Sequence, residues 1–145
     1  MIFRKLEDPS DFFKILPKDW LDELLPQWAV LEISAEVYVV IQNNEVISGG
    51  IVFNQTLPRM TEVEIQAAVL FKIFFYIGYV FTQPQFRGIG ASSFWFHSLF
   101  DRYKNQGFWL SIEDIQLSSF YQKLGFSMHD FHEKSIDEYV MFRGI

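Results

Sequence analysis

Hydrophobic and polar positions switch between two periods along this chain, and the switches mark the elements. Ile2 to Glu7 reads as a first strand. Asp8-Pro9-Ser10-Asp11 is a helix-start signal with Ser10 or Asp8 as cap, and a short helix through Phe12, Phe13 and Ile15 follows. Pro17 starts a second helix, whose Trp20, Leu21, Leu24 and Leu25 recur at helical spacing until Pro26 limits it. Glu36 to Gln42 is rich in β-branched residues and reads as a strand. Asn43-Asn44 is a hairpin turn, and Val46 to Phe53 is the returning strand, where Gly49-Gly50 suggests a bulge or a close approach. Phe74 to Thr82 is the next strand. Ser92 to Asn105 is a helix with Phe96, Leu99, Phe100 and Tyr103 on its apolar face, ended by Gly107. Phe108 to Ile112 is a strand, Ile115 to Leu124 a helix stopped by Gly125, and Phe126 to Phe131 and Ile136 to Phe142 are the last strands.

One stretch breaks the rhythm. Asn54 to Ile73 exceeds the short loop expected between adjacent strands. Within it, Thr61-Glu62-Val63-Glu64 has the spacing of a capping box, which predicts a helix from about Glu62 to Phe71.

Composition narrows the chemistry. The chain has 145 residues, the size of one domain over residues 1–145. Half its residues are hydrophobic and 17 are Phe, which excludes disorder. It has no cysteine, so a thiol nucleophile, a disulfide framework and a Cys-ligated zinc are excluded. His97, His129 and His132 show no ligand spacing, so no metal is expected. A net charge of −6, with no run of Lys or Arg, argues against nucleic acid. The greasy run Ala67 to Phe81 is interrupted by Lys72 and Gly78 and falls short of a membrane span. The N-terminus lacks the long apolar region of a signal peptide, and a cytoplasmic protein is expected.

The most informative residues are Gln85-Phe86-Arg87-Gly88-Ile89-Gly90-Ala91, between a strand and a helix. The unpaired N–H groups and dipole of a helix's first turn favour an anion, and glycines let phosphates approach the backbone. A P-loop needs Lys and then Ser or Thr after its last glycine, and here Ala91 and Ser92 follow Gly90. A dinucleotide fingerprint needs a third glycine where Ser93 stands, and it belongs near a first strand.

The Gln85 to Gly90 pattern, with Pro84 before it, resembles the pyrophosphate turn of the GNAT superfamily of CoA-dependent N-acetyltransferases. Ser119-Phe120-Tyr121-Gln122-Lys123-Leu124-Gly125-Phe126 resembles that family's second landmark, an aromatic pair leading to Gly-Phe at a strand. The resemblance is close over residues 74–130, and residues 1–73 share the order of elements. It implies the family's α/β fold, a twisted mixed sheet of about seven strands with helices on both faces. It also implies acetyl-CoA as acyl donor and an amine of a small molecule or peptide as acceptor.

The same resemblance suggests site residues. Gln85, Phe86, Arg87, Gly88, Ile89, Gly90, Ala91 and Ser92 form the turn, whose N–H groups from Arg87 to Ser92 would cradle the pyrophosphate. Val80, Phe81 and Thr82 would pair with the pantetheine arm and present an N–H to the acetyl carbonyl. Tyr121 is the candidate general acid, protonated at neutral pH and handing its proton to the departing thiolate. Asp114 stands where family members often carry Asn that bonds the cofactor arm. No carboxylate stands on the strand Phe74 to Thr82, where many members place a base. Glu113 is the candidate, with Glu62, Glu64 or a water chain as alternatives. Without cysteine, direct attack by the amine is expected. The 54–73 insertion is expected either to line the acceptor pocket or to extend the core or form an interface. Two other readings stay open, a non-catalytic acyl-CoA-binding module and transfer of a longer acyl chain. The final strand and the aromatic excess are compatible with a homodimer.

Overall fold

A computed structural model describes residues 1–129 and 137–145. Seven strands form one mixed sheet in the order β1-β2-β3-β4-β5-β7-β6. They are β1 (Ile2–Leu6), β2 (Ala35–Gln42), β3 (Glu45–Phe53), β4 (Phe75–Thr82), β5 (Phe108–Ile112), β6 (Ser127–His129) and β7 (Tyr139–Arg143). The helices are α1 (Ser10–Phe13), α2 (Lys18–Leu24), α3 (Trp28–Leu31), α4 (Glu62–Leu70), α5 (Ala91–Arg102) and α6 (Ser118–Lys123). Every neighbouring pair of strands is antiparallel except β4 and β5.

The sheet separates two cores. One buries Trp95, Phe96, Leu99 and Phe100 of α5 against Val40, Ile47, Ile77, Phe108, Leu110 and Met141. The other buries Phe12, Leu24, Leu31, Val63 and Ala67 of α1 to α4 against Val39, Ile51, Phe53, Tyr76, Trp109 and Val140. Alternation along each strand sends successive side chains to opposite cores. On β5, Phe108, Leu110 and Ile112 face α5, and Trp109 faces the α1–α4 side.

The Asn43-Asn44 turn takes φ of 52° and 62°, the left-handed pair that matches strand twist in a two-residue hairpin. Gly49 and Gly50 make room for rings on opposite faces. A Cβ on Gly49 would lie 2.6 Å from the Phe12 ring, and one on Gly50 would lie 2.7 Å from the Trp95 ring. Trp95 is fixed there by donating Nε1–H to the Tyr38 carbonyl at 2.9 Å.

Several expectations shift. Neither Ser10 nor Asp8 is the N-cap of the first helix, a position Pro9 takes without a side-chain cap bond, and the Asp8 Oδ1 instead accepts from the Ser10 N–H at 3.0 Å and the Ser10 hydroxyl at 2.6 Å. Pro26 does not stop the chain from coiling. It sits in a 3-10 turn (Leu25–Gln27), where its missing N–H costs little, and α3 continues to Leu31. The helix after the glycine turn ends at Arg102, before Asn105. Gly107 lies beyond it and is small because the Phe74 ring packs there, 2.6 Å from where a Cβ would stand. The segment Ile115–Leu117 is 3-10, and α6 begins at Ser118. Phe131, His132 and Ile136 lie outside the described residues. No helix among the described residues is long and apolar enough to cross a membrane.

Gly49→Ala is expected to lower stability by about 1–3 kcal/mol, because the methyl group meets both the buried Phe12 ring and the Tyr38 carbonyl, 2.8 Å away. A urea unfolding curve with unchanged slope and lower midpoint is the readout.

Candidate active site

The site begins where β4 and β5 stop pairing. Only Phe75 with Phe108 and Tyr76 with Trp109 are in register, and from Ile77 to Thr82 the β4 edge faces a gap. A bulge helps to part the strands. Gly78 lies opposite Ile51 and Phe81 opposite Gly49, so Tyr79 and Val80 together oppose the single residue Gly50. Tyr79 carries φ of +56°, which costs a non-glycine residue roughly 1–2 kcal/mol and is held by the tertiary structure. Its ring meets the Trp20 ring edge-on and its hydroxyl donates to Glu23 at 3.3 Å. Sequence reading placed an open edge at Val80, Phe81 and Thr82 but not this turn of backbone. The neighbouring Gly78 was its one faint signal.

The glycine turn closes one end of the gap. A 3-10 turn (Pro84–Phe86) leads into Arg87, and Gly88 and Gly90 take φ of +83° and +86° with no atom within 4 Å of a would-be Cβ. Gly90 is the N-cap of α5, so the free N–H groups of the first turn sit beside open space. Arg87 donates Nε–H to the Thr82 carbonyl at 3.1 Å, and its guanidinium lies 5.3 Å from the centre of the Phe81 ring. Gln85 donates to Gln83, which in turn donates to the Val46 carbonyl. Phe86 packs against the α5-side core, and Ile89 is exposed beside the turn. Beneath lies a hydroxyl chain: Ser48 to Thr82 at 2.7 Å, then Thr82 to Ser92 at 2.7 Å. Ser48 and Thr82 are the buried polar residues among those described, and this chain satisfies both while orienting the Ser92 hydroxyl in the first turn of α5.

Two groups of side chains flank the gap from opposite faces. On the α5 face, Tyr121 packs edge-on against Phe96, Phe120 and Phe126 at 5.1–5.8 Å between ring centres. Burial pushes its phenol up to about 12. The phenol therefore carries its proton at neutral pH. On the opposite face, α4 carries Glu64 inward. The carboxylate accepts from the Ser111 hydroxyl at 2.7 Å, the Tyr76 hydroxyl at 3.3 Å and the Thr61 N–H at 3.1 Å. Those donors occupy most of its lone pairs, so Glu64 is an anchor between α4, β4 and β5.

Glu113 and Glu138 flank the last β5–β7 pair, Ile112 with Tyr139, and so stand level across the two strand ends. Glu113 is exposed and accepts no hydrogen bond among the described residues. Glu138 accepts one, from the Thr61 hydroxyl at 2.8 Å. Burial lifts the Glu138 carboxyl above its usual range, the Thr61 bond opposes this, and the nearby Glu64 and Glu113 charges lift it further. Sequence reading missed Glu138, since only the β5–β7 register brings position 138 beside position 113. Asp114 caps the following 3-10 turn, accepting from the Gln116 N–H at 2.9 Å, and is exposed.

A parted parallel strand pair, a glycine turn on a helix N-terminus and a partly buried tyrosine on the α5 face define an acyltransferase architecture. The Acetyltransferase (GNAT) family model matches residues 4–126, and the chain belongs to that family. No curated protein sequence matches it. Solved structures share its fold at low identity. A GNAT family acetyltransferase from Elizabethkingia anophelis with acetyl-CoA bound is 16% identical, with 99% of this chain and 97% of that one aligned and a TM-score of 0.64. A Bacillus subtilis acetyltransferase in complex with CoA is 15% identical, with the same coverage and TM-score. A GNAT family acetyltransferase from Staphylococcus aureus is 11% identical, covering 98% of each chain with a TM-score of 0.64.

Thr82→Val keeps the shape but leaves the Ser48 and Ser92 hydroxyls without their shared partner. Stability should fall by about 1–3 kcal/mol, read from denaturant unfolding.

Proposed function

We propose that the protein transfers an acetyl group from acetyl-CoA to a primary amine of a small molecule or peptide by direct attack in a ternary complex. The observation that carries this reading is the two-sided gap. Tyr121 lies on one face of the parted strands, and Glu113 and Glu138 lie on the other. A thioester lying in the gap would present its sulfur to the phenol and its carbonyl carbon to an amine from the carboxylate side. Fold relatives bind acetyl-CoA or CoA, and the glycine turn of this chain has the geometry to hold a pyrophosphate on the N–H groups from Arg87 to Ser92. In this reading Gln85, Phe86 and Ile89 shape the turn, Val80, Phe81 and Thr82 offer their strand edge to the pantetheine arm, and Asp114 stands near the arm's path.

The acceptor arrives as an ammonium and is drawn to the carboxylates. It must lose a proton before its nitrogen can attack. Glu138 is the better base, because burial raises its affinity for a proton and it accepts a single hydrogen bond from the protein. Glu113 stands beside it as a second acceptor at the solvent side. The new C–N bond forms, the C–S bond breaks, the sulfur carries away the electron pair, and the second proton shed by the acylated nitrogen leaves by way of Glu113 to solvent. Backbone N–H groups at the bulge stabilise the oxyanion, a contribution of about 3 kcal/mol in a water-excluded site. Tyr121 hands its proton to the departing thiolate and recovers one from solvent.

Calorimetric titration with acetyl-CoA, followed by thiol release with a panel of amines, tests the reading. Binding with amine-dependent release is expected. Binding without release from any amine would support an acyl-CoA-binding module, and tighter binding of longer acyl-CoA would support the longer-chain donor. No binding would remove the reading.

Tyr121→Phe should lower kcat about 10²-fold while leaving CoA affinity unchanged, as steady-state kinetics and calorimetry would show. Glu138→Gln should lower kcat/KM and abolish the acid limb of its pH profile. In the wild type that limb lies above the ordinary carboxylate range, because the raised group must lose its proton to act.

A further inference from the structure

The insertion between β3 and β4 has an inner face with a role and an outer face without one. Val63 and Ala67 of α4 are buried and Glu64 reaches inward. Outward, Ile65, Val69 and Leu70 are 54%, 71% and 54% exposed, and Ile73, just past the helix, is 72% exposed. Ile65 and Val69, with Leu57, Met60 and Ala68, line an open apolar hollow of about 570 Å³. A helix this apolar on both sides is one whose outer side is covered too.

The charges say by what. Glu62 opens the outer stripe of α4, Ile65 and Val69 follow on it, and Lys72, in the turn just past the helix end at Leu70, borders the same hollow. Neither Glu62 nor Lys72 pairs with another charge among the described residues. The stripe is self-complementary when reversed. Laid antiparallel about a two-fold axis midway between positions 65 and 69, Ile65 meets Val69 of the partner copy. Glu62 then meets the other copy's Lys72 at both ends. Four aliphatic side chains from each of two copies remove roughly 500 Å² of apolar surface, and with a polar rim such a core reaches the ~1,000 Å² that a specific interface needs.

We propose that α4 is a homodimer interface, occupied by a second copy of this chain in antiparallel, isologous packing. The contact is of modest size and flanked by charges, so the dimer exchanges with monomer in a concentration-dependent way and is sensitive to charge. The same helix anchors Glu64 beneath the gap, so each copy steadies the face of the other that carries the carboxylates.

Sedimentation of the full chain from micromolar to near-millimolar concentration should show a monomer–dimer equilibrium. Val69→Glu should shift it to monomer, with an unchanged circular dichroism spectrum. Two charge variants separate this interface from general stickiness. Glu62→Lys alone and Lys72→Glu alone each set like charges against each other and should dissociate at least tenfold more readily than wild type. Mixed in equal amounts, the two should recover a dimer, because each then meets its opposite charge at both ends. A wild-type chain that stays monomeric near millimolar concentration would overturn the proposal, the face then serving a different partner. So would a dimer that Val69→Glu leaves intact, or charge variants that fail to recombine.

Discussion

Two residue pairs, Phe75 with Phe108 and Tyr76 with Trp109, join β4 to β5, and the site depends on where that pairing stops. Strands that stayed in register would close the sheet and leave no room for a thioester. Strands that never met would divide the fold in two. The compromise is fixed by the bulge at Tyr79 and Val80, which turns the β4 edge away while β3 keeps hold of its other side. A left-handed tyrosine in the middle of a strand is unfavourable locally. It is held by the ring contacts of Tyr79 with Trp20 and Phe53 and by its hydroxyl on Glu23.

The aromatic excess supports this opening. A sheet that parts in its middle loses ladder hydrogen bonds there, and packing from both faces must hold it. Trp95 and Phe12 achieve this by pressing on adjacent glycines of β3 from opposite sides. Further along α5, Phe96 bridges to Phe120, Tyr121 and Phe126, so the helix that opens with the glycine turn also positions the phenol. The glycine turn and Tyr121 are thus two ends of one packing unit.

The opposite face is built around α4. Its capping box uses Thr61 and Glu64, and both also bind elsewhere, Thr61 to Glu138 and Glu64 to Ser111 and Tyr76. A local helix-start motif has become the brace between an insertion and three strands. Three carboxylates collected on one side of the gap make that side attractive to a cation, in keeping with an amine acceptor and with the acidic balance of the whole chain.

The sequence by itself determined the elements and the glycine turn, because those depend on local rules. Alternation between Glu36 and Phe53 and the Asn43-Asn44 turn specify a hairpin whatever surrounds it. Gly88 and Gly90 announce backbone that only glycine adopts easily, and their place before an amphipathic run makes a helix N-terminus. Helix ends were less legible, as at Arg102 and at the 3-10 turn of Pro26, because fraying and 3-10 tightening answer to packing. The tertiary structure alone decided the bulge at Tyr79, the hydroxyl chain from Ser48 to Ser92, the saturation of Glu64 and the pairing of Glu138 with Glu113. Each of these joins residues distant in the chain through strand register or through burial. Register and burial are properties of the whole sheet, and no local pattern of residues carries them.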